Sequence, residues 1–322
     1  MLKYDGMPEI IREYMVYIET IKGKSPATAE VYYRDLRSFF RYIRYIKGRI
    51  AKDDIDSCDI SDLSLNEVKS VTLTDAYSYM VYCKNERGNN AKTQARKTTS
   101  IKQYYRYLAM RAHKIDKSPL EELDPPKIAK TLPKYLTLDQ SKRVLDNVSG
   151  DFKERNYAIV TLFLNCGLRL SELCSLNVRD INFTDRIVVV TGKGNKQRQI
   201  YLNDACVSAI EEYLKVRKPK DPKEKALFIS RLGTRIGRRM VEQLVTDLFK
   251  QSDLGGMGLS VHKLRHTAAT LMHSYGHVDI RILQEILGHE NLGTTEIYTH
   301  LSNEQIRHAV DSNPLANVQS KK

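Results

Sequence analysis

The stretch VHKLRHTAAT, residues 261–270, gathers His262, Arg265 and His266 within little more than one helical turn. Cations held that close repel one another unless something negative faces them. Two kinds of partner fit: a metal bound by the histidines, or a concentrated anion. His262 and His266 are four residues apart and share a helix face, as a zinc-binding pair would. The neighbours argue against it. A hydrolytic zinc helix of the HExxH type needs glutamate where Lys263 stands, and Arg265 adds a cation to the same turn. A phosphate accounts for all three side chains, and predicts further cations and a nucleophile in the same domain.

The chain supplies them. GLRLSEL places Arg169 after a glycine and at the start of a helix, where its guanidinium can point outward and the helix N-terminus adds to the positive field. Lys193 lies at a glycine-flanked turn, and LGHENLGTTEIYTH carries His289 with Tyr298 nine residues on. Each has an ordinary structural explanation by itself: Arg169 as an ion pair with Glu172, His289 as a neighbour of a helix C-cap at Gly288, Tyr298 as a core tyrosine. Their order within one domain favours a shared phosphate site.

The elements that must position these residues follow from periodicity and composition. At 322 residues the chain is long enough for two domains, and 41% hydrophobic residues suffice to fill their cores. A formal charge of +13 points to an acidic partner, of which nucleic acid is the commonest. In SPATAEVYYRDLRSFFRYIRYI, Ser25 caps, Pro26 takes the first helical position, and Val31, Leu36, Phe39, Phe40 and Ile43 make an apolar stripe. The other faces carry Arg34, Arg37, Arg41 and Arg44 among tyrosines, and a second basic helix carries Lys92, Arg96, Lys97, Lys102 and Arg106. Arg34, Arg37, Arg41, Arg44, Lys92, Arg96 and Lys97, with Arg235, Arg238 and Arg239 at a later helix start, are the candidate phosphate-backbone contacts.

An acidic loop and another helix separate the two basic helices, so an all-helical unit is expected over residues 1–124. Pro125, Pro126 and Pro133 mark a linker at 125–134, and Thr137 with Gln140 forms a capping box opening a second domain over 135–322. There the reading is helix to about residue 165, a short helix after Gly167, a hairpin in DRIVVVTGKGNKQRQIYL, then further helices. The five cysteines read as buried free thiols, and no apolar run is long enough to span a membrane. A soluble cytoplasmic protein is expected.

Arg169, Lys193, HKLRH, LGHENLGTTEIY and the following THLSNEQIRHA resemble the tyrosine site-specific recombinases of the phage integrase family, especially the Xer branch, in order and approximate spacing. The basic N-terminal helices and proline linker extend the likeness over nearly the whole chain. The resemblance implies a mainly α fold: a helical, SAM-like core-binding domain followed by a mixed α/β catalytic domain with a small antiparallel sheet. It implies strand exchange through a 3′-phosphotyrosyl link, with no cofactor and no metal. The roles carried over are Tyr298 as nucleophile, Arg169 and Arg265 as phosphate clamps, His262 as base, His289 as a hydrogen-bond donor and Lys193 as general acid. Glu172 is expected to orient Arg169 or the short helix, and His266 to play a supporting or structural part.

The implied partners are double-stranded DNA sites, a homo-tetramer or a hetero-tetramer with a paralogue, and a cell-division DNA translocase. Integration, excision and dimer resolution all remain open. A type IB topoisomerase shares the chemistry but needs no assembly tail, and an inactive DNA binder would lack one of the six residues. The tail after Tyr298, opened by a capping box at Ser302 and Gln305, is expected to dock on a neighbouring protomer. Residues 47–75 look longer than the family's usual inter-helix loop.

Overall fold

The computed structural model describes residues 6–127, 134–192, 196–276, 278–288 and 310–316. The chain divides into two compact units, Met1–Thr131 and Leu132–Lys322.

The first unit is a helical bundle of α1 (Glu9–Thr20), α2 (Pro26–Ile46), α3 (Leu65–Lys69), α4 (Leu73–Asn85) and α5 (Ala91–Met110). The Ser25 hydroxyl accepts from the Thr28 N–H and Pro26 occupies the first turn, which fixes where α2 begins. The core is aromatic: Tyr14, Phe39, Phe40, Tyr79, Tyr104 and Tyr105 are all nearly or fully enclosed. Phe39 meets Tyr79 edge-on at 5.2 Å, and Tyr14 meets Tyr104 at 5.3 Å, the tilted geometry that ring quadrupoles favour. α1 was not anticipated, because Pro8 before it offers no capping side chain. Residues 47–75 belong to the bundle: Ile55, Ile60, Leu63, Val68 and Val71 are buried in its core.

This unit also corrects two expected DNA contacts. Arg44 lies only 9% exposed. It donates to Glu67 at 3.0 and 3.2 Å, pairs with Asp62 at 2.8 Å and reaches the Asp59 carbonyl at 2.6 Å. Burial works against its charge, but these partners hold its protonated form more firmly than in water. Lys97, 12% exposed, lies 3.7 Å from buried Asp35 and donates to the Tyr79 hydroxyl at 3.0 Å. Both cations neutralise buried carboxylates and so face inward.

The second unit begins with α6 (Leu138–Asp146), α7 (Lys153–Cys166) and α8 (Leu170–Ser175). The helix expected to run to residue 165 is thus two helices, broken where Gly150 takes φ +86°. α7 is buried on every side from Tyr157 to Cys166 and packs against α9 (Asp204–Val216) and α11 (Val261–Gly276), forming the spine of the unit. Strands β1 (Ile181–Asn182), β2 (Ile187–Thr191) and β3 (Gln197–Tyr201) form an antiparallel sheet in that order, with Val190 opposite Arg198. α10 (Arg238–Gln251) and α12 (Ile280–Leu287) complete the regular elements described here. No described helix is long and apolar enough to cross a membrane.

Residues 310–316 pack on the chain's own second unit: Val310 and Leu315 are fully buried, and Asn313 donates to the Leu164 carbonyl at 2.9 Å. The rest of the expected docking tail, including Ser302 and Gln305, lies outside the described residues. All five cysteines are free, and the sulfurs of Cys166 and Cys206 lie 3.7 Å apart in the core.

Glu67 is the buried acceptor of Arg44, so Glu67→Ala leaves a largely desolvated cation with only exposed Asp62 and the Asp59 carbonyl. We expect a loss of about 3–5 kcal/mol in unfolding free energy by urea titration. Arg34→Ala, which removes only an exposed pair at 3.9 Å from Glu30, should leave the midpoint unchanged.

Candidate active site

The site begins at the C-terminus of α7. Gly167 ends that helix in the left-handed conformation, φ +59°. A Cβ here would lie 2.6 Å from Leu287 Cδ2, so glycine is needed both for the turn and for the approach of α12. The chain then reverses into α8. There the Arg169 N–H donates to Glu172 Oε2 at 2.8 Å, and its guanidinium to Glu172 Oε1, also at 2.8 Å.

Glu172 is 1% exposed and holds a second arginine. Arg198 of β3 donates Nη1 to Oε1 at 2.7 Å and Nη2 to Oε2 at 3.0 Å, a two-pronged pairing. Burial alone would raise the Glu172 carboxyl; the bonds from Arg198 and Arg169 outweigh it and hold the group below its ordinary value. Arg198 is the component that sequence reasoning missed. The available signal was its position in β3, where it shares a strand face with buried Ile200.

Arg265 of α11 completes the cluster. It is 3% exposed, donates Nη1 to the Gly167 carbonyl at 2.7 Å and Nη2 to the Leu287 carbonyl. Burial first, then the charges of Arg169 and Arg198, lower it to about 10, still protonated at neutral pH. Glu172 opposes that fall.

These guanidiniums share one further feature. Arg198 Nε donates to the Ile286 carbonyl at 3.2 Å, Arg265 to that of Leu287, and Arg169 to that of Gly288 at 2.5 Å. Three successive carbonyls at the end of α12, the negative pole of that helix, are therefore capped by arginines from three other elements. The next residue in sequence is His289.

Of the expected catalytic residues, Arg169 and Arg265 are thus brought together. His262 is exposed on the helix that carries Arg265, its ring meeting that of His266 edge-on at 4.9 Å. Lys193, His289 and Tyr298 lie outside the described residues. The residues preceding two of them lie against the cluster: a Cβ on Gly192 would lie 3.5 Å from Glu172 Oε1, and one on Gly288 3.1 Å from Arg198 Cδ. Among the described residues no group of three or more His, Cys, Asp or Glu side chains is placed to share a metal.

The candidate DNA contacts divide by exposure. Arg34, Lys92, Arg238 and Arg239 are exposed, and Arg37 lies 5.6 Å from the Tyr33 ring centre. Arg41 donates to the Asp56 carbonyl at 2.5 Å, and Arg96 pairs with Asp35 while its side chain stays 42% exposed. Arg235 is exposed but braces the turn after α8, donating to the Cys174 and Leu176 carbonyls, both at 3.0 Å.

Comparison with known proteins gives this arrangement a family. Residues 134–305 match the phage integrase family. Over 317 residues, 98% of this chain and 88% of the relative, the sequence is 49% identical to "Tyrosine recombinase XerC" of Caldanaerobacter subterraneus subsp. tengcongensis. The chain belongs to the tyrosine recombinases of the Xer type. It is accordingly an enzyme that cleaves and rejoins DNA strands at specific sites.

Two solved structures show the same fold. The Tn1549 transposon integrase in complex with circular intermediate DNA superposes with a TM-score of 0.62 at 22% identity, over 84% of this chain and 97% of that one. A lambda integrase dimer bound to a core site gives 0.63 at 16% identity, over 89% and 98%. The mainly helical architecture with a small antiparallel sheet is that of these recombinases.

His266 provides a pH test of the packing around α11. Burial, then His262, Lys263 and Arg265, lower its pKa below the ordinary histidine value. As pH falls through about 6.5 the unfolded chain takes up a proton that the folded one does not, so stability is lost toward acid. His266→Asn should flatten the fall in urea midpoint between pH 7.5 and 5.5; parallel slopes for the two proteins would contradict the assignment.

Proposed function

We propose that the arginine cluster is the scissile-phosphate site and that this recombinase forms a 3′-phosphotyrosyl intermediate through Tyr298. The observation that carries the reading is the convergence of Arg169 and Arg265, from different elements, on the Leu287–Gly288 turn immediately before His289. Attack on a phosphodiester gathers negative charge on the non-bridging oxygens. Two pre-positioned guanidiniums, protonated at neutral pH, suit that charge.

A tyrosine hydroxyl, with an ordinary pKa of about 10, is a weak nucleophile at neutral pH until a base and a cationic field assist. His262 takes the proton, His289 donates a hydrogen bond to the phosphate, and Lys193 protonates the departing 5′-oxygen. The phosphotyrosyl link conserves the energy of the broken bond, so a free 5′-hydroxyl from another strand reverses the step onto a new partner. Neither ATP nor a metal enters this scheme.

Duplex DNA is gripped by cations of both units: exposed Arg34, Lys92 and Arg96 with half-buried Arg37 and Arg41 in the first, exposed Arg238 and Arg239 in the second. Such contacts make affinity fall steeply with salt. Strand exchange between two duplexes takes place in a tetramer, of this chain alone or with a paralogue, in the cytoplasm. A cell-division DNA translocase is a further candidate partner. Integration, excision and dimer resolution share this chemistry and differ in the DNA site.

Covalent capture tests the reading. Fragmented genomic DNA bearing nicks, incubated with the protein and a chelator, should yield protein–DNA adducts whose attached sequences name the site. Tyr298→Phe should give none, and Arg169→Ala should lower the rate by about 10² to 10³. Adducts from Tyr298→Phe would overturn the nucleophile assignment.

A further inference from the structure

Arg198 has no role in the chemistry above, yet it is the most fully engaged side chain of the cluster. Two of its nitrogens are spent on Glu172 and the third on the Ile286 carbonyl, and it is only 17% exposed. Gly288 packs directly over it: a Cβ there would lie 3.1 to 3.3 Å from Arg198 Cδ, Nε and Cζ. All three of its guanidinium nitrogens donate within the protein. It meets three things the reaction needs.

The first is Glu172, which sets the direction of the Arg169 guanidinium. The second is the C-terminal turn of α12, which leads into His289. The third is the hairpin. Arg198 is paired across the ladder with Val190, and the Gly192 N–H closes the base of the turn on the Lys196 carbonyl at 2.8 Å, either side of the segment that contains Lys193.

We propose that Arg198 is a positioning residue for catalysis: by binding Glu172 and the end of α12 at once, it locks the phosphate-clamping Arg169, the segment entering His289 and the base of the lysine hairpin into one register. This rests on the reading that Arg169 holds the scissile phosphate. Loss of Arg198 leaves Arg169 to satisfy Glu172 alone, drawing its guanidinium toward the carboxylate, and frees the Ile286 carbonyl. Misplacement by about 1 Å is enough to cost on the order of 100-fold in rate. Lysine keeps the charge but not the planar fork, so it restores only part.

The test is single-turnover cleavage of a nicked duplex carrying a site recovered by covalent capture, over a range of DNA concentrations. The proteins are the unmutated chain, Arg169→Ala, Arg198→Ala, Arg198→Lys, Glu172→Gln and the Arg198→Ala/Glu172→Gln double variant, each with a thermal melt. We expect Arg198→Ala to cut about 100-fold more slowly at saturating DNA, with the half-saturating concentration within about two-fold of the unmutated value. Arg198→Lys should lie between, and the double variant should be no slower than the worse single one, because both act through the same link.

An unchanged rate for Arg198→Ala, or additive losses in the double variant, would overturn the proposal. So would a loss appearing as weaker DNA binding, which would make Arg198 a DNA contact. If Arg198→Ala does not fold, Arg198→Lys decides: slower turnover at unchanged affinity supports the role and full turnover refutes it. If the unmutated chain does not cut, or Arg169→Ala cuts normally, the phosphate-clamp reading itself has failed and this proposal falls with it.

Discussion

A single carboxylate sealed beneath arginines is the interaction on which the second unit depends. Glu172 is almost entirely removed from water, so in isolation it would be protonated or the site would not form. Arg169 and Arg198 keep it ionised, and in return it holds two cations close to a third, Arg265, which accepts a lowered pKa to stay there. Like charges are thus assembled in advance, with one anion as the internal counterweight. The cluster keeps a surplus of positive charge, which is the state a phosphate-binding site requires before its ligand arrives.

The geometry around that carboxylate explains several choices that look local. Gly167 turns left-handed because Leu287 sits where a side chain would go, and the same turn directs a carbonyl at Arg265. The last carbonyls of α12 need donors, and the arginines supply them. Helix termination and site construction are here one set of hydrogen bonds. These carbonyls hold the arginine side chains in place from within the protein.

Much of this was legible in the chain. Ser25–Pro26 and Thr137 with Gln140 mark helix starts that the structure reproduces, and the spacing of Arg169 and HKLRH pointed to a shared site. What was not legible depends on partners distant in sequence. Arg44 reads as one more cation on a basic helix, because nothing nearby announces Glu67, twenty-three residues on, as its buried acceptor. Arg198 reads as a polar strand residue, because its importance lies in Glu172, twenty-six residues earlier, and in a helix end eighty-eight residues later. α1 lacked a cap to announce it, and the two-residue β1 exists only because β2 gives it a ladder. Local pattern reveals elements and charge; pairing across the fold decides which charges are held inside.

Glu172 stays ionised inside the protein as the organiser of these arginines. Its side-chain carboxyl carbon, followed by NMR from pH 7 to the acid limit of the folded state and assigned with Glu172→Gln, reports that directly. A titration below the ordinary glutamate value of about 4.3 is expected, or none before unfolding. A carboxyl that takes up its proton at or above that value would show that burial has won, and that the arginines are held by something other than its charge.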